Sequence, residues 1–232
     1  MEVLVPFCRN RLTACDVQFI DQVLSQGDTS SSALQELLGD DQSRDLVLDN
    51  EALYESLITI SEVLPVSPQL YFYVIVRRLL RDAKIDDRDA ADYVASLLTT
   101  LANVSRRNRH GLGRNIAYFY ISEAMEHIER TPRERRFYVR ARVANLSLMV
   151  TSLFDAHLRQ RVERKAAPSP EVYAQMGISQ FERLSHHQLS GLFQLSDTFD
   201  LLAKEFRKVR SCLQDMQERV TFIGDLVLPD VA

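Results

Sequence analysis

Ten apolar residues near the C-terminus, Leu192, Leu195, Phe199, Leu202, Phe206, Val209, Leu213, Met216, Val220 and Ile223, succeed one another in alternating steps of three and four. That spacing draws one narrow stripe along an α-helix, and no strand can carry it, because strand faces alternate every two residues. The stripe is roughly 45 Å long and calls for another helix to cover it. A second stretch answers that description. From Thr131 to Lys165 the chain reads as one long helix, with Val139, Val143, Leu146, Val150, Leu153 and His157 on a matching seam. No charge interrupts Val143 to Phe154, so its middle is expected to be wrapped by other helices rather than laid on a surface. Twelve uncharged residues fall short of the roughly 20 that a bilayer core requires, so a membrane span is not expected.

The expected fold is therefore all-α, a multi-helix bundle of about seven to nine helices built around the heptad-patterned pair 131–165 and 189–223. Intramolecular packing of that pair is the default. The alternative makes Leu192, Leu195, Phe199, Leu202, Phe206, Val209, Leu213 and Met216 a partner-binding seam, shared with a second subunit or another protein, with Glu205 and Arg210 flanking it as ion-pair partners.

Helix starts are written locally. Thr131-Pro132-x-Glu134 has the form of a capping box with proline at the first helical position. Thr13 opens a short helix to about Gln26 that buries Val17, Ile20 and Leu24, and Gly27 stops it. Ala33, Leu34, Leu37 and Leu38 point inward from a second short helix ending at Gly39, and Asp40 to Asn50 reads as loop. Asp49 or Asn50 then opens a helix to about Leu64. Ser67-Pro68 starts a densely apolar one over Leu70 to Leu80, and Asp86-Asp87-Arg88-Asp89 leads into one reaching Val104. The recurrence of Ser-Pro-x-x-Tyr at 67–71 and 169–173 reflects shared helix-start chemistry. All seven prolines fall at or between these helices, and only Met1 to Phe7 looks extended.

Charge is segregated along the chain. Residues 1–105 carry a net −9, 106–165 a net +8 and 166–232 a net −3. This divides the chain into an acidic helical region, 1–105, and a long-helix region, 106–232, either as two units or as one continuous domain. Acidic and basic segments are expected to pair within the fold or across subunits. The rival reading is a polyanion-binding face made of Arg106, Arg107, Arg109 and Arg114, in a Gly-containing loop before a helix over Asn115 to Arg130, together with Arg133 and Arg136. Arg135, Arg140 and Arg142 crowd the same helix end, and Tyr118 and Tyr120 are core candidates or, beside Arg114, stacking surfaces.

Nothing in the sequence prescribes catalysis. Cys8, Cys15 and Cys212 are an odd set without Cys-x-x-Cys spacing, which fits reduced thiols in a cytoplasmic protein. Met1 to Pro6 lacks the basic and apolar regions of a secretory signal. Glu123 and His127 are one helical turn apart, with Glu126 and Glu129 near, but a di-metal bundle needs a second such pair. A solvated face there and a core role for His157 are the simpler readings, and His186-His187 suits a helix end. No catalytic, cofactor-binding or metal-ligating residues are assigned. The expected role is non-enzymatic: protein–protein interaction as a scaffold or regulator, with a protein partner or self-association, and nucleic-acid binding through 106–142 as the alternative.

Overall fold

The computed structural model describes residues 3–24, 31–60, 65–107, 121–165 and 168–219. Within them the chain is helical without strands, and thirteen helices replace the seven to nine expected. They are α1 (Ala14–Leu24), α2 (Ser31–Gly39), α3 (Asp41–Leu48), α4 (Glu51–Ile58), α5 (Pro68–Asp82), α6 (Arg88–Arg107), α7 (Ile121–Arg130), α8 (Arg133–Leu153), α9 (Asp155–Lys165), α10 (Pro170–Ser185), α11 (Gln188–Leu192), α12 (Ser196–Lys204) and α13 (Phe206–Arg219).

Most of the excess comes from breaks in both long helices, and one further helix is α3. In α8, Thr151 and Ser152 turn their hydroxyls back onto the carbonyls of Ser147 and Leu148, each at 2.7 Å, a bond that bends helices. Gln214 of α13 then donates to the Thr151 carbonyl at 3.1 Å. The chain leaves helical geometry at Phe154 (φ −123°) and restarts as α9. The C-terminal stripe is divided twice. Gln194 takes a left-handed conformation (φ 57°), and the Leu195 N–H closes onto the Ser190 carbonyl at 2.8 Å, a Schellman stop without glycine. A second break falls at Glu205.

The apolar face nevertheless stays continuous. Leu195, Phe199, Leu202, Phe206, Val209, Leu213 and Met216 are all buried among the chain's own helices. Leu192 is not: it lies before the left-handed turn and is 75% exposed. Val220 and Ile223 lie outside the described residues. Around the stripe, Phe181 of α10 sits between Phe199 and Phe206 (ring centroids 5.8 and 6.3 Å), and Tyr93 of α6 meets Phe199 edge-on at 5.5 Å. The Tyr93 hydroxyl donates to Asn145 Oδ1 on α8 at 3.0 Å, so the buried phenol keeps a partner.

α8 is buried around its whole circumference from Val143 to Leu153 apart from Asn145 and Leu146, with α10 and α13 among its neighbours. Gly177 permits the α10 contact. A Cβ there would stand 2.9 Å from Ser147 Cβ and 2.7 Å from the Phe206 ring. Gly177→Ala is expected to lower the unfolding free energy by about 1–3 kcal/mol through overpacking, with partial recovery in the Phe206→Leu background, as read by urea titration.

Cap chemistry holds where it is local and fails where a competitor is near. Thr13 and Asp16 form a reciprocal box: the Asp16 N–H donates to Thr13 Oγ1 and the Thr13 N–H to Asp16 Oδ2. Buried Asp16 also accepts from the Ser67 N–H and hydroxyl, tying the start of α1 to the start of α5. Asn50 caps α4 and Ser67 caps α5 as expected. The Thr131 box does not form: its hydroxyl donates to the His127 carbonyl at 2.6 Å and closes α7, leaving Pro132 at the cap of α8. Segment 40–50 is helix rather than loop, since Asp40 caps α3 by accepting from the Ser43 N–H. Leu37 is exposed rather than inward.

The N-terminal arm, from Val3 to Leu12, lies on α6. The N–H groups of Cys8 (2.8 Å) and Arg9 (3.3 Å) and the Ser96 hydroxyl all donate to Asp92 Oδ1, and the Phe7 N–H donates to Ser96 Oγ. Burial pushes the Asp92 carboxyl above the usual carboxylate range, and these bonds only partly offset it. A carboxyl raised in the fold loses stability as pH climbs from the ordinary range through the raised value. Asp92→Asn keeps the Oδ1 acceptor and is expected to remove that pH dependence without loss of fold. Asp92→Ala orphans the buried Cys8 N–H and the part-buried Arg9 N–H and is expected to cost about 1–3 kcal/mol, both read by urea unfolding across pH.

Candidate functional site

Two clusters of arginines stand out in the fold. The first is internal. Arg77 on α5 is 2% exposed and donates from Nε (2.9 Å) and Nη2 (3.1 Å) to the two oxygens of Asp49, just past α3, and again to Asp86 before α6. Arg88 adds a bond to Asp49 at 2.9 Å, and Asp45 stands 3.4 Å from Arg88 and 3.7 Å from Arg9. Arg9 reaches Asp89 at 3.6 Å, so the arm, α3, α5 and α6 share one ionic network. Burial alone would raise the Asp49 carboxyl, but the Arg77 bonds and the charges of Arg77 and Arg88 outweigh it and hold it below the usual range. Arg78 nearby pairs with Glu51 and Asp82 and lies over the Tyr54 ring.

The second group lies where the start of α8 runs antiparallel to the end of α10. Arg133, Arg136 and Arg140 share one side of α8 with Arg183 of α10 beside Arg140, while Arg135 and Arg142, each two residues on from one of them, lie on the opposite side; Arg133, Arg135, Arg142 and Arg183 are exposed, and Arg136 and Arg140 half-buried. Among the described residues none of the six forms an ion pair. Nor does any ion pair join 1–105 to 106–165, so the expected pairing of acidic and basic segments does not occur within the described fold. Asp41, Asp45, Asp49, Glu51, Asp82, Asp86 and Asp89 of the first region pair with arginines of that same region. Arg140 registers the surplus: burial, then the like charges of Arg183 and Arg136, lower its pKa. Its Nη1 donates to Gln180 Oε1 at 2.6 Å. Arg136 is differently occupied, donating from Nε to the Thr131 carbonyl and from Nη2 to the Glu129 carbonyl, where it closes α7.

Two of the six arginines proposed from sequence, Arg133 and Arg136, therefore share a face. The side chains of Arg106 and Arg107, and Arg109 and Arg114 altogether, lie outside the described residues, as do Tyr118, Tyr120 and the side chain of His157. The stripe residues proposed as a partner seam form core instead, Leu192 excepted. Arg183 was not singled out from sequence; it is the lone basic residue between 166 and 203, and only the antiparallel packing of α10 on α8 brings it to Arg140.

Other chemistry is sparse. Glu123 and His127 are exposed, and among the described residues no group of three His, Cys, Asp or Glu side chains is placed to hold a metal ion. Burial pushes the Cys8 thiol up to about 11, which keeps it protonated near neutral pH. His187 caps α11, its Nδ1 accepting from the Leu189 N–H at 3.2 Å, and its ring lies 5.0 Å from Phe137. Among the described residues no helix is long and apolar enough to cross a membrane. No known protein family, curated protein or solved structure matches the chain, so what it does must be argued from its own residues.

Proposed function

We propose that the protein is a non-enzymatic helical interaction module, a scaffold or regulator, that holds an acidic protein partner on the arginine face of α8 and α10. The observation that carries this reading is that Arg140, hydrogen-bonded to Gln180 and repelled by Arg183 and Arg136, has no carboxylate partner among the described residues. A fold that pairs Arg9, Arg44, Arg77, Arg78, Arg81 and Arg88 with carboxylates, yet leaves Arg136, Arg140 and Arg183 without one among the described residues, retains like-charge repulsion that a partner's carboxylates would relieve. The acidic region 1–105 of a second copy, at net −9, is one such surface.

Nucleic acid is the second reading, favoured by the guanidinium forks, which fit phosphate as well as carboxylate. Fluorescence-anisotropy titrations of a labelled glutamate-rich peptide, a single-stranded RNA and a duplex DNA, each at low and moderate salt, separate the two. Peptide binding that weakens with salt and falls about tenfold or more in the Arg133→Glu/Arg140→Glu/Arg183→Glu protein supports the protein partner. Much tighter nucleic-acid binding with a steep salt dependence supports the rival. No binding by any probe at low salt refutes the arginine face as a docking surface.

A further inference from the structure

Arg140 differs from the other arginines of the face in being held from behind. Gln180, 3% exposed on α10, accepts from Nη1 at 2.6 Å and thereby fixes the plane of the guanidinium. This leaves the Nε–Nη2 edge, the pair of parallel donors that matches the two oxygens of a carboxylate, without a partner among the described residues. Arg136 cannot offer the same edge, because its Nε and Nη2 bond the Thr131 and Glu129 carbonyls at the end of α7. Arg183 sits one residue short of a full turn beyond Gln180 on the same helix and adds a second positive charge.

Given an acidic protein partner as the ligand of this face, we propose that Arg140, oriented by Gln180 and backed by Arg183, is its anchoring fork and receives one Asp or Glu side chain of that partner in bidentate fashion. The inference rests on the proposed function and narrows it to one contact. The surroundings favour a discrete carboxylate over a phosphate backbone. Arg135 and Arg142 project from the opposite side of α8, so the positive charge around Arg140 is a small cluster with Arg136 and Arg183 rather than a continuous track. A compact cluster of this kind suits a single carboxylate of a complementary protein surface.

The test compares wild type, Arg140→Lys, Gln180→Leu, Gln180→Glu and Arg142→Lys in anisotropy titrations with a labelled ten-residue glutamate peptide, with thermal melts to check folding. Arg140→Lys keeps the charge but loses the fork, and is expected to weaken binding about tenfold, whereas Arg142→Lys stays within about twofold. Gln180→Leu, which alters no charge, is expected to weaken binding several-fold by freeing the guanidinium. Gln180→Glu, which supplies an internal carboxylate, is expected to weaken it at least as much. Equal affinities for Arg140→Lys and Arg142→Lys overturn the fork while leaving the arginine face in place. Failure of the wild type to bind the peptide overturns both, and preference for RNA over the peptide overturns the carboxylate assignment.

Discussion

Replacing Asp49 by alanine is expected to lower the unfolding free energy by about 3–5 kcal/mol, the cost of leaving a buried charge without its partner. Asp49 accepts from Arg77 through both oxygens and from Arg88 through one, and Arg77 is 2% exposed. Without Asp49, Arg77 keeps only Asp86, whose side chain is largely in solvent. The control is Asp82→Ala, which removes an exposed pair with Arg78 and is expected to cost about 0–1 kcal/mol. Urea titrations at neutral pH read both. The sign of the pH dependence adds a second readout. A carboxyl held below its ordinary range contributes stability that is present above that range and is lost as pH falls through the depressed value. The gap between wild type and Asp49→Ala should therefore narrow in acid.

Phe206→Ala is expected to be as damaging, about 3–5 kcal/mol, because the ring is buried against Phe181 and over the bare backbone of Gly177. The cavity would open where α8, α10 and α13 converge. Leu192→Ala, at the exposed end of the same sequence stripe, is expected to stay within about 0.5 kcal/mol of wild type. Equilibrium unfolding of the two proteins distinguishes a stripe that builds this chain's core from one presented to a partner. Were Phe206 an intermolecular contact, its loss would change assembly and leave unfolding intact.

The sequence conveyed what local chemistry decides. Ser67-Pro68, Asn50 and Thr13 are helix starts whose partners lie two or three residues away, and all three were legible. Thr131 looked equally local but closes α7 instead, a competition between two adjoining helix ends that the residue pattern alone cannot resolve. The breaks in the long helices were out of reach for a different reason. The break at Phe154 comes with Gln214 reaching the Thr151 carbonyl from 63 residues further along, and Gln194 adopts a left-handed turn with no glycine to announce it. The apolar periodicity survived both breaks, so it foretold burial correctly and continuity incorrectly. At the candidate site, the arginines of α8 were visible as composition, but whether acids would neutralise them was not. That depended on Asp45, Asp49, Asp86 and Asp89 being matched by Arg9, Arg77 and Arg88, and on Arg183 arriving from another helix.

On the proposed function, the like charges of Arg140 and Arg183 are surplus to folding and are kept for a partner, a trade of stability for binding seen where function needs strained charge. The most direct measurement is equilibrium unfolding of Arg183→Gln beside Arg77→Gln at low and high salt. Arg183→Gln is expected to match or exceed wild-type stability at low salt and to converge on it as salt screens the repulsion with Arg140, while Arg77→Gln is strongly destabilised at both. A loss of stability in Arg183→Gln comparable to that in Arg77→Gln would contradict the proposal, since the face would then belong to the ionic framework of the fold.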